Sequence, residues 1–383
     1  MKRILIISFS PINRDPRVMR QIRLLEDSYD LIVAGYGQRP DAKVEYVELS
    51  LPKRNFLRKA LFALKLGFRL FNHYYWNQPG VKEAFLKLSN NHYDLIVAND
   101  LSALPIALKL KGTGRVLFDA HEYSPREFED SWIWRLFFSR YNHYMCKWYL
   151  PQVCAMTTVC QGIANEYALQ YGVPSKVVYN APLDQFLSPT EITPGRIRLI
   201  HHGGAIRSRH LETMIEVMQH LDERFTLDFM LVNNDAAYMS ELRQRAAHDR
   251  RISFVDPVPM VDICKAINNY DIGIYLLQPV NFNHKHALPN KIFEFIQARL
   301  AVAVGPSPEM ASIVNEYSFG LVAPSFEPHI FAKTLSEINE KDLSSYKNAA
   351  DEAAKKINYQ VTGLVFLGEI ERLLMAESTR STL

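Results

Sequence analysis

The sequence is poor in the features that mark several large protein classes. No apolar run approaches the roughly 18 to 20 residues that cross a bilayer, which argues against a helical membrane-spanning protein. Four cysteines, Cys146, Cys154, Cys160 and Cys264, form neither the paired short spacings of a zinc site nor a disulfide framework, so a reducing compartment is expected. Charge of one sign is not in excess. The chain has 44 Lys and Arg against 41 Asp and Glu, a formal net charge of +3, which disfavours a general nucleic-acid binder. Neither GxGxxG nor a Walker P-loop occurs, which disfavours a hydride-transferring dinucleotide enzyme. Met1-Lys2-Arg3 followed by Ile4–Ile7 imitates the start of a signal peptide. That stretch is short, however, and runs into Pro11, Asn13, Arg14 and Asp15 with no small-residue cleavage site. The expectation is a cytoplasmic protein, at most peripheral on the inner face of the membrane.

What is present is an ordinary globular composition, 48% hydrophobic and 22% charged over 383 residues, enough for two domains. Short apolar runs without polar alternation recur between helical stretches: Lys2–Phe9, Leu31–Ala34, Asp94–Ala98, Arg115–Phe118, Ala155–Val159 and Lys176–Tyr179. After the break at Pro194-Gly195 the pattern restarts with Ile197–His201, Thr226–Val232, Ile252–Phe254, Ile272–Leu277 and Ala301–Val304. Such runs are what a parallel sheet covered on both faces produces. The predicted fold is therefore α/β, with two Rossmann-like doubly wound domains facing each other. Ligands of such sheets bind beyond the carboxyl ends of the strands, which puts the expected site in a cleft between the domains. Ser378–Leu383 is expected to fray.

Four segments carry chemistry. Beyond Ile197–His201 the chain turns through Gly203-Gly204 and reaches Arg209 before a helix. Glycines admit a phosphate to the backbone, a helix N-terminus adds positive potential, and a guanidinium pairs with phosphate oxygens. The plain alternative is a tight turn with solvated arginines. In His286–Glu294, Pro289 opens a helix, and Lys291 and Glu294 fall on one face of it. An ammonium there suits a diphosphate and a carboxylate suits a ribose diol; the alternative is a surface ion pair. Asp119, His121 and Glu122 place three ionisable side chains at a strand's carboxyl end, with Asp100 on the same rim. A buried structural histidine is the alternative there. Asp15 and Arg17 follow the first strand, where Asp15 serves equally well as a helix cap. Finally, the stretch 51–82 holds Lys53, Arg54, Arg58, Lys59, Lys65, Arg69 and Lys82 and no acidic residue. With Leu57, Leu61, Leu64, Phe68 and Phe71 at helical spacing, it reads as a basic amphipathic helix suited to an anionic membrane surface through 51–76, or else as a core-facing helix.

On these residues the sequence resembles the retaining glycosyltransferases of family 4, which have the two-domain GT-B fold. The resemblance spans nearly the whole chain. It rests on Asp15-Pro16-Arg17-Val18, Asp119-Ala120-His121-Glu122, Val178-Tyr179-Asn180-Ala181-Pro182, the glycine turn with Arg209, Leu288–Glu294 continuing to Ala298 and Val302, and Gly320-Leu321-Val322. It implies an acceptor-binding domain over 1–188, a nucleotide-sugar domain over 189–362, and a last helix, 363–383, that crosses back to the first domain. It implies transfer of a sugar, with retention of configuration, from a UDP- or GDP-sugar to a hydroxyl of a glycan or lipid-linked acceptor. Glu294 matches the residue that holds the ribose, Arg209 the residue that stabilises the donor diphosphate, and His121 a residue near the reacting sugar. His121 would serve there by orienting the donor or by shuttling a proton. Gly203, Gly204, His286, Asn290 and Lys291 complete the expected donor site; Asp15, Arg17, Asp100, Asp119 and Glu122 form the acceptor side. Two positions depart from the family pattern. His286 stands where a first glutamate is usual, and Gly204 where an arginine is usual, a charge that Lys291 would supply instead. No cofactor or essential metal is expected, since the nucleotide sugar is a substrate. Rival readings keep the same domains: a sugar-nucleotide epimerase, an inverting transferase, or a non-catalytic scaffold with a decayed site.

Overall fold

The structure, a computed structural model, describes residues 1–51 and 56–375, the side chains of 56–60 excepted. It divides into two compact units. One comprises 1–179, 281–283 and the chain from 363; the other comprises 180–280 and 284–362.

The first unit is built on seven strands: β1 (Arg3–Pro11), β2 (Asp30–Tyr36), β3 (Glu45–Leu49), β4 (Leu95–Asn99), β5 (Arg115–Ala120), β6 (Ala155–Thr158) and β7 (Lys176–Val177). All pair in parallel, in the order β3-β2-β1-β4-β5-β6-β7. Helices cover both faces, so the central strands carry unbroken apolar runs: Ile4–Ile7 and Leu95–Ala98 are fully buried. Each of the Ile, Leu and Val side chains among them contributes about 1.5–3 kcal/mol by leaving water. Asp15 caps the helix Pro16–Leu25 by accepting hydrogen bonds from the Arg17 and Val18 amides, and Pro16 takes the first helical position, where it loses no bond. That helix lays Val18, Ile22 and Leu25 on the sheet. The same core receives Phe366, Ile370, Leu373 and Leu374 from the helix Tyr359–Met375.

The second unit repeats the plan with β8 (Ile197–Gly204), β9 (Phe225–Val232), β10 (Ile252–Val255), β11 (Ile272–Tyr275), β12 (Ala301–Val304) and β13 (Gly320–Val322), parallel in the order β10-β9-β8-β11-β12-β13. In both sheets the order reverses beside the first strand, between β1 and β4 and between β8 and β11. Connections leave these strand pairs towards opposite faces, which opens a crevice at their carboxyl ends.

The stretch 51–82 is not one continuous helix. Three helices, Phe56–Gly67, Phe71–Trp76 and Pro79–Leu88, replace it. Leu66, Phe71, Tyr74 and Tyr75 are buried, whereas Leu61, Leu64, Phe68 and Leu70 face solvent, so core packing and an exposed apolar face coexist there. Lys53, Arg54, Leu57, Arg58, Lys59 and the Ser378–Leu383 end lie outside the described side chains. Periodicity also passed over β3, a short edge strand with little buried surface. Among the described residues no helix is long and apolar enough to cross a membrane.

Candidate functional site

On the first unit, the loops after β1, β4 and β5 bring together one polar cluster. Its centre is Asp119, fully buried at the end of β5. It accepts two hydrogen bonds from the Arg17 guanidinium, at 2.6 Å from both Nε and Nη2, and others from Gln21 Nε2 (2.6 Å) and Thr157 Oγ1 (2.6 Å). Arg17 Nη1 donates to the carbonyl of Val178, the residue after β7, at 2.8 Å, which ties that end of the sheet to the cluster. Burial alone would raise the Asp119 carboxyl, but the Arg17 guanidinium and then His121 hold it well below the usual carboxylate range.

His121 sits on top of this pair. Its Nε2 is 3.0 Å from Asn99 Oδ1 and 3.5 Å from Asp119 Oδ2; its Nδ1 is 3.3 Å from Asp100 Oδ2. The His121 amide donates to Asp100 Oδ1 at 3.0 Å. Burial would lower the imidazole pKa, yet Asp100 and Asp119 outweigh it and push it up to about 9. At neutral pH the ring is therefore an imidazolium, with 19% of its side chain still open to solvent. Asp100 holds its place with a left-handed backbone, φ 61°, a conformation in which Asp is among the few side chains tolerated.

The expected acceptor-side residues thus separate. Arg17, Asp100, Asp119 and His121 form one network. Asp15 caps its helix and takes a hydrogen bond from Ser10 Oγ at 2.8 Å, and Glu122 is exposed, its backbone carbonyl bonded to the Tyr167 hydroxyl. Gln21, Asn99 and Thr157 belong to the network and were not singled out from sequence. Of the three, only Gln21 carries a signal, a polar side chain one turn after Arg17 on the same helix face.

On the second unit the site forms at the ends of β8 and β11 and at the start of the helix Asn290–Gln297. Lys291 is buried, its Nζ 3.2 Å from His201 Nε2 and 3.9 Å from the centre of the Tyr275 ring. His201 Nδ1 lies 2.9 Å from the Ile274 carbonyl, an oxygen that can only accept, so the proton sits on Nδ1 and Nε2 accepts from the ammonium. Burial, and then Lys291, keep His201 far below an ordinary histidine pKa, which agrees with that tautomer. Burial and then the Arg209 charge push the Lys291 pKa well down; Glu294 opposes them.

The backbone at Gly203 makes room for this ammonium. Gly203 has φ +126°, and a Cβ there would lie 3.4 Å from Lys291 Nζ and 4.0 Å from Arg209 Nη1. Two cations from separate segments therefore converge on a strand end with a bare backbone. Arg207, only two residues from Arg209, instead pairs with Glu241 at 2.7 Å and stacks on Tyr238. At Gly204 a Cβ would come 2.6 Å from Asn234 Oδ1, so an arginine there would first have to displace Asn234.

Glu294 is buried one turn beyond Lys291, 3.5 Å from His202 Nε2. Lys291 and Glu294 are thus not a surface ion pair. Burial, then Lys291, lower the His202 pKa to about 3, so that ring is neutral. Asn290 accepts from Asn180 Nδ2 at 2.6 Å, and His286 Nδ1 lies 3.0 Å from Glu309 Oε1. His201, Tyr275 and Glu309 were not assigned from sequence. His201 and Tyr275 arrive from β8 and β11 and Glu309 from the helix Pro308–Tyr317, a tertiary arrangement that spacing along the chain does not report.

No protein-family model matches the sequence, and no curated protein matches it. Solved structures do match in fold. HepE of Anabaena, solved with UDP and glucose, has a TM-score of 0.70 at 13% identity, covering 97% of this chain and 100% of that one. Sucrose-phosphate synthase of Thermosynechococcus elongatus has a TM-score of 0.71 at 13% identity, with 98% and 100% covered. The α,α-trehalose-6-phosphate synthase of Burkholderia multivorans has a TM-score of 0.70 at 11% identity, with 99% and 98% covered. Two parallel doubly wound sheets of seven and six strands, matched over nearly the whole chain, give this protein the GT-B fold.

Proposed function

We propose that this protein is a retaining glycosyltransferase, akin to family 4, that moves a sugar from a nucleoside diphosphate donor to a hydroxyl of a glycan or lipid-linked acceptor. The observation that carries the reading is the convergence of Lys291 and Arg209 on the bare backbone of Gly203, with buried Glu294 one helical turn away. Two basic side chains beside a strand end that carries no side chain suit a diphosphate, and a buried carboxylate suits a ribose diol. That HepE is solved with UDP-glucose supports a uridine donor as the first candidate, with GDP-sugars next.

In the reaction the bond between the anomeric carbon and the diphosphate oxygen breaks, and its electron pair leaves with the diphosphate. Lys291 and Arg209 meet that developing charge in a site already shaped for it, which is where preorganised electrostatics contribute most. The acceptor hydroxyl forms the new bond on the same face. Its proton goes to the departing diphosphate, because His121 at a pKa of about 9 is already protonated and cannot act as a base. His121 instead donates from its open edge and orients the sugar. Arg17 and Asp119, buried and spent on each other, position His121 and do not touch substrate. The roles assigned here need neither cofactor nor metal. The basic, partly exposed apolar segment 61–70 supports a peripheral place at an anionic membrane, on its cytoplasmic side.

A thermal-shift series with UDP, GDP, ADP, CMP and their sugar conjugates, with and without Mg²⁺, tests this reading. A ligand at 100 times its dissociation constant adds about 2.7 kcal/mol of stability. One nucleotide should shift the melting temperature and the others should not. NMR of the product should then show retained anomeric configuration; an inverted product would overturn retention, and no shift with any nucleotide would overturn the transferase reading.

A further inference from the structure

The first unit contains a concavity lined by none of the Asp119 cluster residues. A cavity of about 680 Å³ opens beside the turn that follows β5, lined in part by Tyr123, Arg126, Ser139, Arg140, Glu166 and Arg69. Three guanidinium groups and the Tyr123 and Ser139 hydroxyls line it beside the Glu166 carboxylate; Glu129 pairs with Arg126, and Arg69 and Arg140 leave the balance positive, which favours anions. Arg126 is fixed by Glu129 at 2.6 Å and by stacking 4.9 Å above the Phe282 ring.

Arg69 is placed at a conformational cost. It ends the helix Phe56–Gly67 in the left-handed region, φ 57°. Leu70 N–H donates to the Lys65 carbonyl at 2.8 Å and Arg69 N–H to the Leu66 carbonyl at 3.1 Å. This hydrogen-bond pair puts residue 69 where helices favour glycine. An arginine there needs a reason other than helix termination.

The rim supplies a second, independent observation. Leu64 and Phe68 lead into Arg69 and are 57% and 75% exposed, while Trp132 and Leu136, on the helical segment leading to Ser139 and Arg140, are 66% and 60% exposed. These two segments pack against each other. Exposed apolar side chains that adjoin the lining residues Arg69 and Ser139 along the chain match an amphiphile with a charged head.

We infer that this cavity seats the phosphate of a lipid-borne acceptor, whose hydrocarbon lies across Leu64, Phe68, Trp132 and Leu136 towards the bilayer. The inference rests on the transferase reading only in calling the lipid an acceptor; phosphate-lipid binding itself does not depend on it.

Flotation of the full chain with phosphatidylcholine vesicles doped with phosphatidic acid, against vesicles of matched charge doped with oleate, tests it. Phosphate vesicles should bind at least tenfold more tightly than oleate vesicles. Arg69→Gly, which removes the guanidinium and relieves the left-handed strain, should lose that preference while its melting temperature stays level or rises. Arg140→Gln should lose it as well, and Phe68→Ser should weaken binding to every vesicle. Equal binding to both vesicle types, or an unchanged preference in Arg69→Gly and Arg140→Gln, would overturn the phosphate seat. Inorganic pyrophosphate competing as well as the vesicle phosphate, with Phe68→Ser unaffected, would overturn the lipid and leave a soluble phosphate compound. The nucleotide thermal shift, measured on the same variants, should persist. Its absence from the unsubstituted protein would sink the transferase reading and leave the vesicle result standing.

Discussion

Replacing Asp100 by asparagine isolates the charge that sets the state of His121. The substitution keeps an oxygen for the His121 amide, and asparagine tolerates the left-handed backbone that Asp100 adopts. Only the negative charge 3.3 Å from Nδ1 disappears. An opposite charge at that range moves a pKa by about 1–3 units. Because the Asp100 side chain is 42% exposed, solvent screens it, so the shift should fall in the lower half of that range. The His121 pKa, about 9 in the native protein, should move down towards the ordinary histidine range without reaching it, since Asp119 remains. The sign of the stability effect follows. A histidine raised from 6.5 to about 9 on folding stabilises the protein below pH 6.5 and loses that contribution as pH climbs through 9. At 1.36 kcal/mol per unit the full contribution is roughly 3 kcal/mol. Asp100→Asn should reduce it and make urea stability flatter between pH 6 and 9. NMR titration of the His121 ring, in both proteins, reads the pKa directly. A native value at or below 6.5, or one unmoved by the substitution, would refute the account of this cluster.

Arg17→Met should cost about 3–5 kcal/mol in urea unfolding, because it strands a buried carboxylate. Burial and Arg209 depress the Lys291 pKa in the empty site, so a bound nucleoside diphosphate should hold the Lys291 proton to higher pH than the empty site does. Calorimetry in buffers of different ionisation enthalpy should therefore show proton uptake that grows as pH rises, with affinity falling, and Lys291→Met should abolish that uptake. Glu294→Ala should weaken nucleotide binding, whereas Arg209→Ala should mainly slow turnover; unchanged kinetics in both would mean the site lies elsewhere.

The strands that carry these residues were plain in the sequence because a doubly covered parallel sheet demands uninterrupted apolar runs, as in Ile4–Ile7 and Leu95–Ala98. Candidate residues at strand ends were visible for the same reason, since topology puts loops of unusual chemistry there. Their partners were not. His201 reaches Lys291, 90 positions away, and Asp119 gathers Arg17 and Gln21 from the helix Pro16–Leu25 and Thr157 from β6. Whether Asp15 capped a helix or faced a ligand depended on where its carboxylate pointed, which spacing does not encode. The stretch 51–82 read as one helix because its apolar spacing continues through the turn at 68–70; the left-handed Arg69 that breaks it carries no glycine signal.

The four side chains Phe366, Ile370, Leu373 and Leu374 complete a core whose other members end at Val178. The ribosome makes everything between those points, the whole second unit, before the first can close. At 5–20 residues per second the wait is about 10–40 s. During it, the apolar floor under Ile4, Val33 and Val97 lies open to chaperones and to neighbouring nascent chains. A stop codon before residue 366 would make that exposure permanent, so truncation late in the chain should cripple the portion synthesised first.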